Sequence, residues 1–94
     1  MNLRIRSYGE YSSNNYGAHS LVVDIGPLNL WFSYETIVGF SDGGGIKVCE
    51  NQWGSTTGKH LNWIDGGNKK NRLKAEEFDR QLKEVLKKHD LLVE

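Results

Sequence analysis

The fold of this chain is organised around the stretch Leu28–Ile64, which reads LNLWFSYETIVGFSDGGGIKVCENQWGSTTGKHLNWI. The stretch contains all three tryptophans, two of the three phenylalanines and the only cysteine. Its first part, Leu28–Ser33, has leucine or phenylalanine at every second position, and this period of two predicts a half-buried strand. The run Asp42–Gly45 predicts a tight turn, because glycine adopts positive φ at little steric cost. The stretch therefore predicts antiparallel strands on either side of that turn.

The same reasoning predicts further strands along the chain. Including a shorter sixth one, they lie at 2–8, 19–25, 28–33, 36–41, 46–50 and 60–64. The short link at Gly26 and Pro27 predicts a tight hairpin between the second and third strands. The segment Gly9–Gly17 is rich in Ser, Asn and Gly, so we interpret it as a loop that carries Tyr11 and Tyr16.

The C-terminal segment Ala75–Lys88 predicts an amphipathic helix. Its apolar side chains recur at the spacing of one helical face, at Phe78, Leu82, Val85 and Leu86. Strands followed by a helix are typical of an α+β fold. The sequence therefore predicts one α+β domain over residues 1–94, with an antiparallel β-sheet of about five to six strands within 2–64 and one C-terminal α-helix packed on it.

Composition argues against several classes of protein. Twelve basic residues balance twelve acidic ones, whereas a nucleic-acid-binding protein usually carries a basic excess. A single cysteine excludes an intrachain disulfide and favours a reducing, intracellular setting. The sequence has neither a membrane-spanning apolar run nor the apolar core of a secretory signal at its start. We therefore expect a cytoplasmic protein without membrane contact, and nucleic acid is not the favoured partner.

The segment Gly54–His60, GSTTGKH, invites comparison with the phosphate-binding loop of nucleotide hydrolases. The gap between its glycines is one residue too short, and His60 stands where that loop needs a magnesium-binding hydroxyl. The segment is also expected to lead into a strand, whereas the loop needs a following helix. We therefore expect no nucleotide hydrolysis, although the hydroxyls and Lys59 could hold an anion.

Other catalytic and metal-binding patterns are weak. Cys49 and His60 could face each other across strands, with Asn62 or Asp65 as a third group, but a lone cysteine in a strand is usually a small packing residue. The histidines and the cysteine show no paired metal-ligand spacing. The sequence therefore predicts a protein that is not an enzyme and that binds no metal or cofactor.

The residues present agree better with a surface that binds a ligand or a partner protein than with a catalytic or metal site. Tryptophan and tyrosine are enriched in binding hot spots, and the polar groups of Leu28–Ile64 are concentrated near Trp53. The candidate ligand- or partner-binding residues are Tyr34, Trp53, Thr56, Thr57, Lys59, His60 and Asn62. A candidate anion patch follows at Lys69, Lys70 and Arg72. The alternatives are structural packing for the first set and a solvated loop for the second.

Two segments give the chain a family resemblance. Trp31–Phe40 contains the pattern FSYxTxVxF, and Trp53–Asn62 is close to WSxTTxKHxN, with Gly54 where serine is common. In these features the chain resembles small proteins of unknown function encoded by tailed phages and prophages. The resemblance covers roughly 21–88. It implies a phage setting, and by analogy an inhibitor of host defence such as an anti-CRISPR protein or a sponge for nucleotide signals.

We therefore expect a small non-enzymatic protein that binds a host defence protein or sequesters a nucleotide-like signal, in the cytoplasm of an infected or lysogenic bacterial host. A sponge would favour a homo-oligomer, because a chain of this size has little room for an enclosed pocket. The alternatives are a nucleic-acid-binding accessory protein and a phage structural or assembly component. Replacing Lys59 or His60 by alanine is expected to weaken binding and to leave the fold intact.

Overall fold

The computed structural model describes residues 3–8 and 19–92. The predicted loop at Gly9–Gly17, with Tyr11 and Tyr16, lies outside the described residues, as does the first residue of the first predicted strand. The bounds below therefore concern the described part of the chain.

The sheet contains five strands in the order β1-β2-β3-β4-β5, and all neighbouring strands are antiparallel. Their bounds are Leu3–Ser7 for β1, Leu21–Ile25 for β2, Leu28–Ser33 for β3, Thr36–Asp42 for β4 and Lys47–Val48 for β5. The predicted hairpin between β2 and β3 is confirmed, and its turn places Gly26 at a φ of 59°. The predicted α+β class with an antiparallel sheet is therefore confirmed.

Two α-helices follow the sheet. Helix α1 spans Ser55–Asp65, a short 3₁₀ helix spans Lys69–Asn71, and α2 spans Ala75–Lys88. The C-terminal helix was predicted, and its bounds agree. The predicted sixth strand at 60–64 is wrong, because these residues belong to α1.

The helical state of α1 has a physical basis in its buried positions. Thr57, His60 and Leu61 are buried and Ile64 is half-buried, so the inward side chains lie at i, i+3, i+4 and i+7. This is the spacing of one helical face. Two of these residues are polar, which hides the pattern from a search for apolar residues. Gly66 ends the helix with a φ of 68°, a left-handed conformation that favours glycine.

The two helices pack on opposite faces of the sheet. Phe78 of α2 packs against Phe40, with ring centroids 5.6 Å apart. Leu61 of α1 packs in a second cluster with Val38 and Val48. Phe40 is paired with Lys47, next to Val48, so Phe40 and Val48 point to opposite faces. The C-terminal helix therefore packs on the sheet as predicted, and α1 covers the face that this prediction left open.

A bulge in β4 directs side chains of this strand into the apolar clusters on both faces of the sheet. Trp31 pairs with Gly39 and Phe32 pairs with Ile37, which leaves Val38 as the extra residue. Glycine is favoured at position 39, because a Cβ atom there would make a tight contact, 3.3 Å, with the carbonyl oxygen of Lys47. The bulge keeps Ile37 with the α2 cluster and turns Val38 toward α1.

Helix α2 is fixed at both ends by side chains from outside the helix. At its start, the backbone N–H of Ala75 donates to Glu50 Oε2 at 2.8 Å, which supplies the cap that Lys74 cannot provide. At its end, Lys88 Nζ and His89 Nε2 lie 2.8 and 2.9 Å from the carboxylate of Asp42. Hydrogen bonds from Lys88 and His89 lower the pKa of Asp42. Both helices in the described ranges are too short or too polar to cross a membrane.

Candidate functional site

A polar groove runs along one side of α1. It has a volume of about 390 Å³ and is lined by Glu50, Asn51, Ser55, Gly58, Lys59, Asn62, Lys69 and Arg72. The groove combines the segment before α1, the exposed side of α1 and the segment that leads into α2. Residues from the two predicted sets therefore share one site: Lys59 and Asn62 from the binding set, and Lys69 and Arg72 from the anion patch.

Asn51 and Gly58 shape the wall of the groove at the start of α1. The side chain of Asn51 accepts a hydrogen bond from the backbone N–H of Trp53 at 3.0 Å and donates to the Gly54 carbonyl at 3.1 Å. A Cβ atom at Gly58 would lie 3.1 Å from Asn51 Nδ2. Glycine at this position therefore allows the helix to approach Asn51. Asn51 is not among the predicted site residues, although asparagine is a known turn residue and stands four positions before the start of α1.

Arg72 lines the groove, but its side chain is largely buried. Its side chain is only 4% exposed, and that of its partner Asp65 is 13% exposed. Arg72 Nε donates to Asp65 Oδ2 at 2.7 Å, and Nη2 donates to Asp65 Oδ1 and to Asn62 Oδ1, each at 3.0 Å. This pair fixes the end of α1 to the chain that enters α2, and it holds the Asn62 side chain in place.

The pKa of Asp65 reflects two opposing effects. Burial acts to raise it, but the hydrogen bonds from Arg72 and from the backbone of Gly67 and Asn68, with the charge of Arg72, lower it below the ordinary value. Asp65 is therefore ionised at neutral pH and compensates the charge of Arg72.

Lys59 and Lys69 are exposed and contribute the positive charges on the open side of the groove.

Among the described residues, Glu50 is the one acidic residue that lines the groove. One of its carboxylate oxygens accepts from the Ala75 N–H at 2.8 Å, and the other lies 3.7 Å from Lys74 Nζ. Its charge is thus balanced by the start of α2 and by a lysine. With Arg72 paired to Asp65, the two exposed lysines leave this groove with a positive balance.

His60 and Thr57 occupy a different environment from Lys59. His60 is fully buried and Thr57 is 8% exposed. The hydroxyl of Ser33 on β3 lies 2.6 Å from His60 Nδ1 and 3.0 Å from Thr57 Oγ1. Burial, and then the charge of His19, lower the pKa of His60, so the imidazole is neutral near pH 7. These polar groups connect α1 to the sheet and do not line the groove.

Tyr34 lies apart from the groove. The residue is 49% exposed. Its ring stacks on His19 with centroids 4.3 Å apart and lies 5.9 Å from the ring of His60. Its backbone is at a φ of 57°, which is strained for a residue with a Cβ atom. The N–H of Tyr34 donates to the His19 carbonyl at 2.8 Å, which helps to hold this conformation.

The remaining predicted residues lie near the groove without lining it. Trp53 is 42% exposed just before α1, and Thr56 is half-buried in the first turn. Lys70 is exposed on the 3₁₀ helix. The structure therefore divides the predicted residues into groove residues, buried connections to the sheet and exposed neighbours.

The structure also bears on the two catalytic patterns. Cys49 belongs to the core cluster of Phe78 and Leu82, whereas His60 packs against the opposite face, so they do not form a pair. The comparison with the phosphate-binding loop needs a correction, since GSTTGKH does not lead into a strand: its residues from Ser55 to His60 form the first part of helix α1. The short glycine gap and His60 in place of a hydroxyl still separate it from that loop. Within 3–8 and 19–92, no three His, Cys, Asp or Glu side chains are placed to hold a metal ion.

We expect the Cys49 thiol to be unreactive in the folded protein. Burial, and then the charge of Glu50, raise the pKa of this thiol to about 11, and the thiolate is the reactive form. An aromatic disulfide reagent at pH 8 should label Cys49 only after denaturant is added. Complete labelling of the native protein within seconds would contradict the buried position of Cys49.

Comparisons with known proteins identify a family whose function is unknown. No curated protein and no solved structure matches the chain. A family of unknown function (DUF8033) matches residues 1–80, which is most of the 94 residues. The expected membership of a family of unknown function is thereby confirmed. This chain belongs to the family of unknown function DUF8033.

Proposed function

We propose that this protein is a non-enzymatic binding protein that holds an anionic, nucleotide-like ligand in the groove along α1. The observation that supports the proposal is the convergence of two exposed lysines, Lys59 and Lys69, in one groove beside the Arg72–Asp65 ion pair. The volume of about 390 Å³ lies within the range of roughly 300–1,000 Å³ that is usual for small-molecule sites. The polar lining favours a phosphate-bearing ligand over an apolar one.

The residues that line the groove are suited to different parts of a nucleotide-like ligand. The exposed ammonium groups of Lys59 and Lys69 are suited to phosphate oxygens, to which lysine binds as a point charge. Ser55, Asn51 and Asn62 offer neutral donors and acceptors for a ribose or a base edge. The first turn of α1 carries no acidic residue, so its positive end adds to the attraction for an anion.

Together with the resemblance to phage proteins, this groove supports a role in counter-defence. A protein that sequesters a nucleotide-like signal of the host would need a site for phosphates and no catalytic groups. It would act in the cytoplasm of an infected or lysogenic bacterial host. The resemblance supports that setting, and the groove supports the class of ligand.

Binding of a host defence protein is the second candidate function. It is favoured by the exposure of Trp53 and Trp63, which are 42% and 47% exposed at the start and near the end of α1. Exposed tryptophans often carry much of the energy of a protein interface. In this case Trp53→Ala or Trp63→Ala would weaken capture of the host protein, while Lys59→Ala would have little effect.

A panel of anions tests the proposed ligand class. We expect the melting temperature of the protein to rise with at least one of pyrophosphate, mononucleotides, dinucleotides and cyclic dinucleotides. Lys59→Ala and Lys69→Ala should each weaken that ligand about three- to fivefold, as expected for one exposed ion pair. Binding should also weaken as salt is added.

Lys70→Ala is the matched control, because Lys70 is exposed on the same 3₁₀ helix as Lys69 but does not line the groove. Its affinity for the ligand should equal that of the wild type. An equal loss in Lys69→Ala and Lys70→Ala would indicate a diffuse electrostatic effect and would contradict a site in the groove. The absence of any shift across the panel would also contradict the proposal.

A further inference from the structure

The two edges of the sheet differ in whether another described segment of the chain pairs with them. At the β5 edge, the Leu73 N–H donates to the Val48 carbonyl at 2.8 Å, and the Glu50 N–H donates to the Leu73 carbonyl at 2.8 Å. The segment at Leu73 thus pairs with that edge in parallel orientation. At the other edge, β1 pairs with β2, and no other described segment pairs with its outer side. An edge strand of this kind presents backbone N–H and C=O groups to a partner.

One face of β1 is apolar and exposed. Leu3 and Ile5 are 62% and 61% exposed, and they stand across from Ile25 and Val23 of β2. Beside them lies a groove of about 310 Å³, lined by Ile5, Leu21, Val23, Phe32, Tyr34 and Glu35. Large aliphatic side chains on a solvent-exposed edge are unusual, because natural edges generally carry charges or proline. This apolar groove continues the surface of β1 toward the centre of the sheet.

The other face of β1 is basic. Arg4 and Arg6 alternate with Leu3 and Ile5 and therefore point to the opposite side of the sheet. Arg6 forms an ion pair with Asp24, with Nε and Oδ2 3.2 Å apart. The Arg4 side chain makes no hydrogen bond or ion pair within the described part of the chain, although it stands across from Asp24 in the register and its charge helps to lower the pKa of Asp24. A strand added to this edge would meet apolar side chains on one face and positive charge on the other.

We propose that the β1 edge binds an extended segment of a partner protein in which apolar and acidic residues alternate. The segment would add a strand to the sheet through backbone hydrogen bonds, a known mode of peptide recognition. Its apolar side chains would contact Leu3, Ile5 and the apolar groove, and its carboxylates would stand opposite Arg4 and Arg6. This surface lies on the sheet edge and is separate from the polar groove along α1.

The charge pattern disfavours a second copy of the chain as the occupant. When β1 pairs with another β1 so that apolar side chains stay together, arginine stands opposite arginine on the other face. Like charges directly across a strand pair are destabilising. An acidic, apolar partner strand satisfies both faces at once, and for this reason we favour it over self-association.

Short synthetic peptides test the inference on the full-length protein. The probe is a fluorescent ten-residue peptide of alternating glutamate and valine, and its matched control alternates lysine and valine. We expect the glutamate peptide to bind at least about tenfold more tightly than the lysine peptide in fluorescence anisotropy. A glutamate peptide with a central proline should bind more weakly, because proline interrupts strand pairing.

Two variants locate the binding to β1. Ile5→Thr should weaken the glutamate peptide because it removes apolar contact, and Arg4→Gln should reduce the preference for glutamate over lysine. Lys83→Gln, an equal change of charge on α2, is the control and should alter neither property. Circular dichroism and the melting temperature should show that all three variants are folded.

Several outcomes would overturn the inference. These are equal affinity for the glutamate and lysine peptides, an unchanged preference in Arg4→Gln, and no binding of the glutamate peptide at millimolar concentration. A concentration-dependent dimer that Ile5→Thr dissociates would identify a second copy as the occupant and would also contradict the proposed partner.

Discussion

Replacement of Arg72 by alanine should lower the free energy of unfolding by about 3–5 kcal/mol, the usual cost of removing one partner of a buried ion pair. The Arg72 and Asp65 side chains are 4% and 13% exposed, and their closest atoms are 2.7 Å apart. Loss of the guanidinium would leave a largely buried carboxylate without its main donor. Urea denaturation at pH 7 would measure the loss, with Lys70→Ala, an exposed neighbour, as the control.

The dependence of this effect on pH distinguishes a lost ion pair from lost packing. In the wild type, hydrogen bonds from Arg72 and the backbone outweigh burial and lower the pKa of Asp65. The contribution of Asp65 is therefore present above its unfolded pKa of about 4 and is lost as the pH falls through the lower folded value. The difference between wild type and Arg72→Ala should thus be largest near pH 7 and should shrink below about pH 4. A constant difference across this range would contradict the role of the ion pair.

Replacement of His60 by alanine should lower the free energy of unfolding by about 2–4 kcal/mol, because it opens a cavity between α1 and the sheet. His60 is fully buried, its Nδ1 lies 2.6 Å from the Ser33 hydroxyl, and its ring lies 6.2 Å from that of Tyr8. This result differs from the expectation based on sequence, in which His60→Ala left the fold intact. Lys59→Ala is the control, since Lys59 is exposed on the same helix and should alter stability by less than about 0.5 kcal/mol.

The titration of His60 provides a second readout. Because burial lowers the pKa of His60, the unfolded chain binds a proton at this residue more readily than the folded protein does. Stability should therefore fall as the pH drops below about 6.5, the ordinary pKa of histidine. His60→Ala should show a shallower loss of stability in this range. An equal unfolding midpoint for His60→Ala and wild type at pH 7 would contradict a structural role.

The sheet and α2 could be predicted because their signals are local and apolar. Alternation in Leu28–Ser33 and the stripe of Phe78 and Leu82 each specify an element and its buried face. Helix α1 could not be recognised in the same way, because Gly58 and the β-branched Thr56 and Thr57 are poor helix formers. Its helical state depends on tertiary contacts, which a reading of local propensity does not contain.

The candidate site could be predicted only as separate pieces. We predict Lys59 as a ligand- or partner-binding residue and Lys69 as part of an anion patch, but their common groove depends on how the chain after α1 returns along it. The burial of His60 depends on Ser33, which is 27 residues away in the sequence. The residue types therefore predict candidate binding groups, and the long-range contacts decide which of these side chains are exposed.

An NMR titration tests whether the groove along α1 binds a nucleotide-like anion. Amide resonances of the ¹⁵N-labelled protein would be followed while the strongest ligand of the anion panel is added, with Lys59→Ala/Lys69→Ala as the control protein. We predict that the largest shifts occur at Ser55, Lys59, Asn62 and Lys69, and that they require at least about tenfold more ligand in the double variant. Shifts concentrated on β1 or around Tyr34, or equal ligand requirements in the two proteins, would contradict binding in this groove.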